Sequence, residues 1–300
     1  VRNAREEARQ RVGGRHDVRV LEPSPPAVTE PPWFADDPLE GGEVLPIERA
    51  GARTWLELSD EDRDLRVWCQ DRWLVRKPLV PLPASFATTR ESLHALAEHV
   101  IAPARFNANG KIGLRFTFEG FGTPFFGDDR QVRVEDGRLV DGDRVTEVTT
   151  LAAAGAFVGV DPATGTGVYQ PTTDLDLDAP LPVDAKAAHR LGDWYGFCAS
   201  VLEQFRADAT EADAPARVQL WPEHFDIAVD LGPDGRRANF GGSPGDDAHP
   251  QPYLYVSPWD RGDNRENPYW NEPFGASLGY AALLAGADPL DFLRRGKALL

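Results

Sequence analysis

Two short runs of strict apolar alternation constrain this chain more than any other feature. In the first, Ile112, Leu114, Phe116 and Phe118 alternate with Gly113, Arg115, Thr117 and Glu119; in the second, Phe225, Ile227, Val229 and Leu231 are separated by Asp226, Ala228 and Asp230. A period of two puts successive side chains on opposite faces of an extended chain, so each run predicts a half-buried strand. Each run also follows a helical pattern. Leu93, Leu96, Ala97, Val100 and Ile101 recur at helix spacing after a capping-box pair, Thr88 and Glu91. Leu191, Trp194, Tyr195, Cys198, Val201, Leu202 and Phe205 form a longer stripe over Ala185–Ala207, which Asp184 is placed to cap. Cys198 lies on that stripe and reads as a small core residue.

Both helices lead into their strand and then into a Gly/Pro-rich loop ending in Gly-Asp-Asp, GTPFFGDD in one case and GGSPGDD in the other. This shared order predicts an α+β fold of two similar halves, each an amphipathic helix packed on mainly antiparallel strands, with an internal pseudo-repeat. The first half takes residues 53–180 and the second residues 181–300. Further strands are expected at 53–58, 65–70, 73–77, 217–220, 237–240 and 252–256. A hairpin over 131–135 turns at Asp136-Gly137, and Gly232 to Gly235 form another turn. Helices near 276–285 and 289–299 close the chain, the last capped by Asp288 with Pro289 in its first turn. Residues 161–184 read as loop, and Asp174, Asp176 and Asp178 within it lack the glycine and trailing glutamate of an EF-hand.

Ahead of the halves, residues 22–52 are a Pro-rich strap or linker, and residues 1–21 a basic flexible arm. Residues 1–20 hold six arginines against Glu6, Glu7 and Asp17, for a local +3 in a chain whose net charge is −16. So acidic a body is expected to repel nucleic acid and anionic lipid. No apolar run is long enough to span a bilayer, and the N-terminus has no apolar signal segment. Two isolated cysteines, Cys69 and Cys198, argue against a disulfide framework and make a cytoplasmic location the expectation.

Aromatic, acidic, Pro and Gly residues crowd into 217–274. Tyr253, Tyr255, Trp259, Tyr269, Trp270 and Phe274 run through loops that also carry Asp260, Asp263, Glu266 and Glu272. Rings beside carboxylates favour sugars, amines or a protein partner. Plugging the end of a core is the plainer role for the same rings. A second chemistry is also present in outline. His224, Asp226 and the downstream His249 are the ligand types of a 2-His-1-carboxylate iron site, and Arg261 is available for an acidic cosubstrate. No nucleophile elbow, Walker A loop or dinucleotide fingerprint accompanies them.

The run WYGFCASVLEQFRAD, VQLWPEHFDIAVDL, GGSPGDD, PYLYVSPWD, with GLRFTFEGFGTPFF before it, resembles a bacterial family catalogued only as a domain of unknown function. The resemblance covers about residues 50–275. It implies shared roles for Trp221, Phe225, Asp226 and Tyr253, treats His224 as a variable position, and brings no activity or cofactor. The expectation is a binding protein for a small molecule or protein partner. Its site lies between strand 221–231 and loops 241–274, at Trp221, Asp226, Tyr253, Tyr255, Trp259 and Trp270. The alternative is a metal-dependent enzyme using His224, Asp226 and His249.

Overall fold

The computed structural model describes residues 76–117, 120–124, 126, 130–260 and 267–300. The arm, the strap, the strands expected at 53–58 and 65–70, and most of 73–77 lie outside those residues. So do Cys69, Phe118, Glu119 and Arg261. One compact unit comprises Arg76–Thr123 with Val132–Leu300, and it carries every element below; Val1–Val75 and Pro124–Gln131 form the other.

The fold is α+β, with two antiparallel five-stranded sheets of similar size. The first sheet runs in chain order: β1 (Arg115–Thr117), β2 (Gly120–Gly122), β3 (Val132–Glu135), β4 (Arg138–Asp141) and β5 (Arg144–Glu147). The second does the same with β6 (Gln219–Trp221), β7 (Asp226–Leu231), β8 (Ala238–Ser243), β9 (Tyr253–Pro258) and β10 (Ala276–Gly279). Leu114 and Leu220 join the two by a reciprocal backbone pair at 2.7 and 2.8 Å. Helix α1 (Phe86–Leu96) continues through a π-helical turn (Ala97–Ile101) into α2 (Ala102–Asn109). Then come α3 (Leu151–Val158), α4 (Ala185–Ala207), α5 (Tyr280–Leu284) and α6 (Pro289–Leu299). Helix α4 packs on β1 and β2 of one sheet and on β7 and β8 of the other, so its stripe is the shared core. Every residue of that stripe is buried, Cys198 included.

Several local signals act as read. Asp184 accepts from the Ala187 amide to cap α4 (2.9 Å), and Asp288 accepts from Leu290 to cap α6 (2.9 Å). Asp136 and Gly137 take φ of 50° and 79°, the paired positive values of a type I′ hairpin, and pair Glu135 with Arg138. Residues 161–184 carry no regular element before α4.

Others change. Helix α1 starts two residues before Thr88, with Ser85 at its N-cap, and Glu91 pairs with Arg90 instead of closing a capping box. In β1, Arg115 and Thr117 are buried beside Phe116, so the first alternation is covered on both faces. The Gly-Phe-Gly at 120–122 is a strand, not a turn, and Ala276–Gly279 is an edge strand before a short helix. Helix α3, Leu-Ala-Ala-Ala-Gly-Ala-Phe-Val, has no polar face to give it a period and was not expected; Thr150 caps it. GGSPGDD is the end of β8 and the loop after it, while part of GTPFFGDD lies outside the described residues.

Candidate functional site

Directly paired residues in an antiparallel sheet share a face. The second sheet therefore has one apolar face, built on Ile227, Val229, Phe240, Leu254 and Val256. Helices α4 and α6 cover it: the Phe205 ring of α4 packs at a tilt against Phe240 (4.7 Å between centres), and Gly296 of α6 lies against Val256. The other face carries Trp221 opposite Asp226, then Ala228, Gly241, Tyr255 and Ser277 in one row, and Asp230, Asn239 and Ser257 in the next.

Two adjacent glycines in β8 let both faces close up. A Cβ on Gly242 would sit 2.3 Å from the Cys198 sulfur, so only glycine admits α4 this closely. A Cβ on Gly241 would sit 2.5 Å from the Tyr255 ring. The ring can therefore lie across β8 and reach β7, where its hydroxyl donates to Asp226 Oδ2. Asp226 is only 6% exposed, and its Oδ1 has no hydrogen-bond partner. Burial pushes its carboxyl up to about 6, against the Tyr255 hydroxyl and nearby His224, which favour the charged form; Glu223 pushes the same way as burial. Burial and the Asp226 charge raise the Tyr255 phenol in turn.

The turn before Asp226 is strained. Phe225 takes φ of 51°, in the left-handed region, at a cost on the order of 1 kcal/mol for a non-glycine residue. Its surroundings hold it there. The Tyr195 hydroxyl of α4 donates to the Phe225 carbonyl at 2.6 Å, and His94 stacks on the Phe225 ring at 4.9 Å. Phe121 meets that ring edge-on at 5.0 Å. His94 Nε2–H donates to the Pro222 carbonyl (2.9 Å) and lies 3.8 Å from Glu98 Oε2. Burial lowers the imidazole's pKa, with Glu98 opposing. Glu98 itself sits in the π-helical turn and accepts from the Thr172 and Thr173 amides, both at 2.8 Å, and from the Thr173 hydroxyl at 2.6 Å. This carboxylate anchors the long 161–184 loop beside the turn. Tyr195, His94 and Glu98 come from distant segments, and nothing in their local sequence marks them as partners of Asp226.

Beyond Tyr255, the rings of Tyr253 and Phe274 complete a triangle, with centroids 6.2 to 6.5 Å apart. The Tyr253 hydroxyl donates to Asp246 (2.8 Å). Burial works against ionisation of Asp246, but the His249 and Ala248 amides and that hydroxyl outweigh it and lower its pKa. The His249 ring meets Tyr253 at a tilt, 4.7 Å between centres, and its Nε2 lies 3.0 Å from Glu272.

The structure thus brings Asp226, Tyr253 and Tyr255 together, with Trp221 across the strand pair from Asp226. Trp259 joins the same face further along, its indole N–H donating to Asn239 (2.9 Å) and Arg237 lying 5.3 Å from its ring centre. Trp270 goes elsewhere: it packs edge-on to Tyr269, whose hydroxyl donates to Phe292 of α6. The metal set is not assembled. Among the described residues, no three His, Cys, Asp or Glu side chains group to hold an ion. The positive φ at Phe225 breaks the strand between His224 and Asp226. His224 stands exposed, Asp226 is buried under Tyr255, and His249 is engaged by Glu272 and Asp246. No described helix is long and apolar enough to cross a membrane.

Scans against protein-family models, curated proteins and solved structures find no match. The resemblance to a family of unknown function therefore rests on the residues quoted for it.

Proposed function

We propose that this protein binds a small molecule on the polar face of the second sheet, where Trp221, Asp226, Tyr253 and Tyr255 meet. The observation that carries the reading is the coincidence of two unfavourable choices on adjacent residues. Phe225 holds a left-handed backbone, and Asp226 buries a carboxyl with one oxygen unpartnered. Such features persist where the surrounding structure enforces them, and they cluster at functional sites. Their neighbours suit recognition: Trp221 is 37% exposed and Trp259 61%, on a face otherwise lined by small and polar residues. Along β7, the four residue steps from Asp226 to Asp230 separate the Trp221 and Asn239–Trp259 ends by about 13 Å.

Native mass spectrometry of the purified chain tests for a retained small molecule. Tryptophan fluorescence against panels of sugars, amines and organic acids tests for an added one. The reading expects a saturable response that Trp221→Phe removes without altering the thermal melt. Saturable binding that leaves the response of Trp221→Phe unchanged would place the ligand elsewhere.

A further inference from the structure

We infer that the ligand of this site presents a small cationic donor, a primary ammonium or a guanidinium, to Asp226 Oδ1; the inference rests on the binding face just proposed. Two buried acceptors on one turn lack donors, Asp226 Oδ1 and, three residues earlier, Glu223 Oε2. Buried acceptors are almost always satisfied, so two unpaired acceptors on a single turn ask for a group that donates more than once. A neutral hydroxyl would supply one hydrogen bond and leave the buried charge uncompensated, whereas a cation supplies both.

The described residues place no such cation against the turn: His224 favours the charged form of Asp226 but forms no ion pair with it. Among the described residues no Lys, Arg or His nitrogen lies within ion-pair distance of Asp226 or Glu223. Arg90 is engaged elsewhere, donating to Glu91 and to the Pro250 carbonyl (3.3 Å). The net charge of −16 favours a cation and disfavours an anion. Trp221, opposite Asp226 on β6, offers a partly exposed indole face for cation–π contact, and no hydrogen bond among the described residues fixes it. The aromatic triangle limits the size of the head group. Rings 6.2 to 6.5 Å apart touch one another, so no bulky quaternary ammonium fits between Tyr253, Tyr255 and Phe274.

The test is calorimetry on the full chain with n-butylammonium, n-butylguanidinium, tetramethylammonium, n-butanol and glucose, with the Trp221 indole N–H followed by NMR. The two N–H cations are expected to bind and shift Trp221, and to bind at least roughly tenfold more tightly than n-butanol or tetramethylammonium. Asp226→Asn should weaken them by roughly ten- to hundredfold, and Glu223→Gln should weaken them as well. Should Asp226→Asn fail to fold, Glu223→Gln and Trp221→Leu carry the same test. If n-butanol or glucose shifts Trp221 as strongly as the amines do, the cation inference falls and the binding face stands. If no probe shifts Trp221, both fall. Amine binding that neither carboxylate substitution weakens also overturns the inference.

Discussion

Replacing Asp226 with asparagine should remove a loss of stability that the wild type suffers as pH rises. The carboxyl is buried and pushed up to about 6, whereas in the unfolded chain it titrates near the ordinary value of about 3.9. Below about pH 4 it is protonated in both states and carries no buried-charge penalty. Between about 4 and 6 the folded state holds a proton that the unfolded state has released, so stability falls as pH rises. Above about 6 the penalty is complete. Two pKa units at about 1.4 kcal/mol each give about 3 kcal/mol. Asparagine keeps an acceptor for the Tyr255 hydroxyl and removes the titration. Any constant cost of the amide cancels when the two proteins are compared across pH. Urea denaturation of both, followed by far-ultraviolet circular dichroism from pH 4 to pH 8, measures the difference. The variant is expected to gain on the wild type by about 3 kcal/mol over that range. A difference that stays flat would show that Asp226 is not a buried carboxyl titrating late. A difference of opposite sign would show that it is held ionised by a partner.

Three further outcomes follow from the same geometry. Gly242→Ala places a methyl 2.3 Å from the Cys198 sulfur and should cost on the order of 1–3 kcal/mol in a thermal melt, with Cys198→Ala in the same chain recovering part of the loss. Tyr255→Phe removes the hydroxyl that favours the charged carboxylate, so the Asp226 midpoint, read by carboxyl carbon-13 NMR, should move above its value of about 6. Glu98→Gln leaves one acceptor oxygen where two served the Thr172 and Thr173 amides and the Thr173 hydroxyl; it should cost on the order of 2–3 kcal/mol and speed hydrogen exchange at those two amides.

The fold class was legible because helix and strand periods are local. The stripe from Leu191 to Phe205 is the buried face of α4, and the apolar residues of 227–231 face that helix. Elsewhere the deciding fact is not local. Thr88 and Glu91 have the spacing of a capping box, but Ser85 and Phe86 already lie in helical backbone, so the pair falls inside the helix. Arg115 and Thr117 look like a solvated face because their burial depends on what packs over the strand. The site divides in the same way. Asp226, Tyr253 and Tyr255 stood out as a carboxylate among rings, and Trp221 and Trp259 stood out beside them. The left-handed Phe225 did not, because a phenylalanine gives no sign that it will take a glycine-like conformation. That one residue takes His224 and Asp226 out of strand alternation, leaving one exposed and the other buried. The contributions of His94, Glu98 and Tyr195 appear only once α1, the loop at 172–173 and α4 converge on the turn.

The most direct test of the binding face is the indole N–H spectrum of the full chain, titrated with the amine, sugar and acid panels. Trp194, buried in α4 with no exposed surface, serves as the internal control. The account expects one class of compound to shift Trp221 saturably, to leave Trp194 in place, and to lose this effect in Asp226→Asn. A compound that binds saturably while Trp221 stays fixed would contradict it.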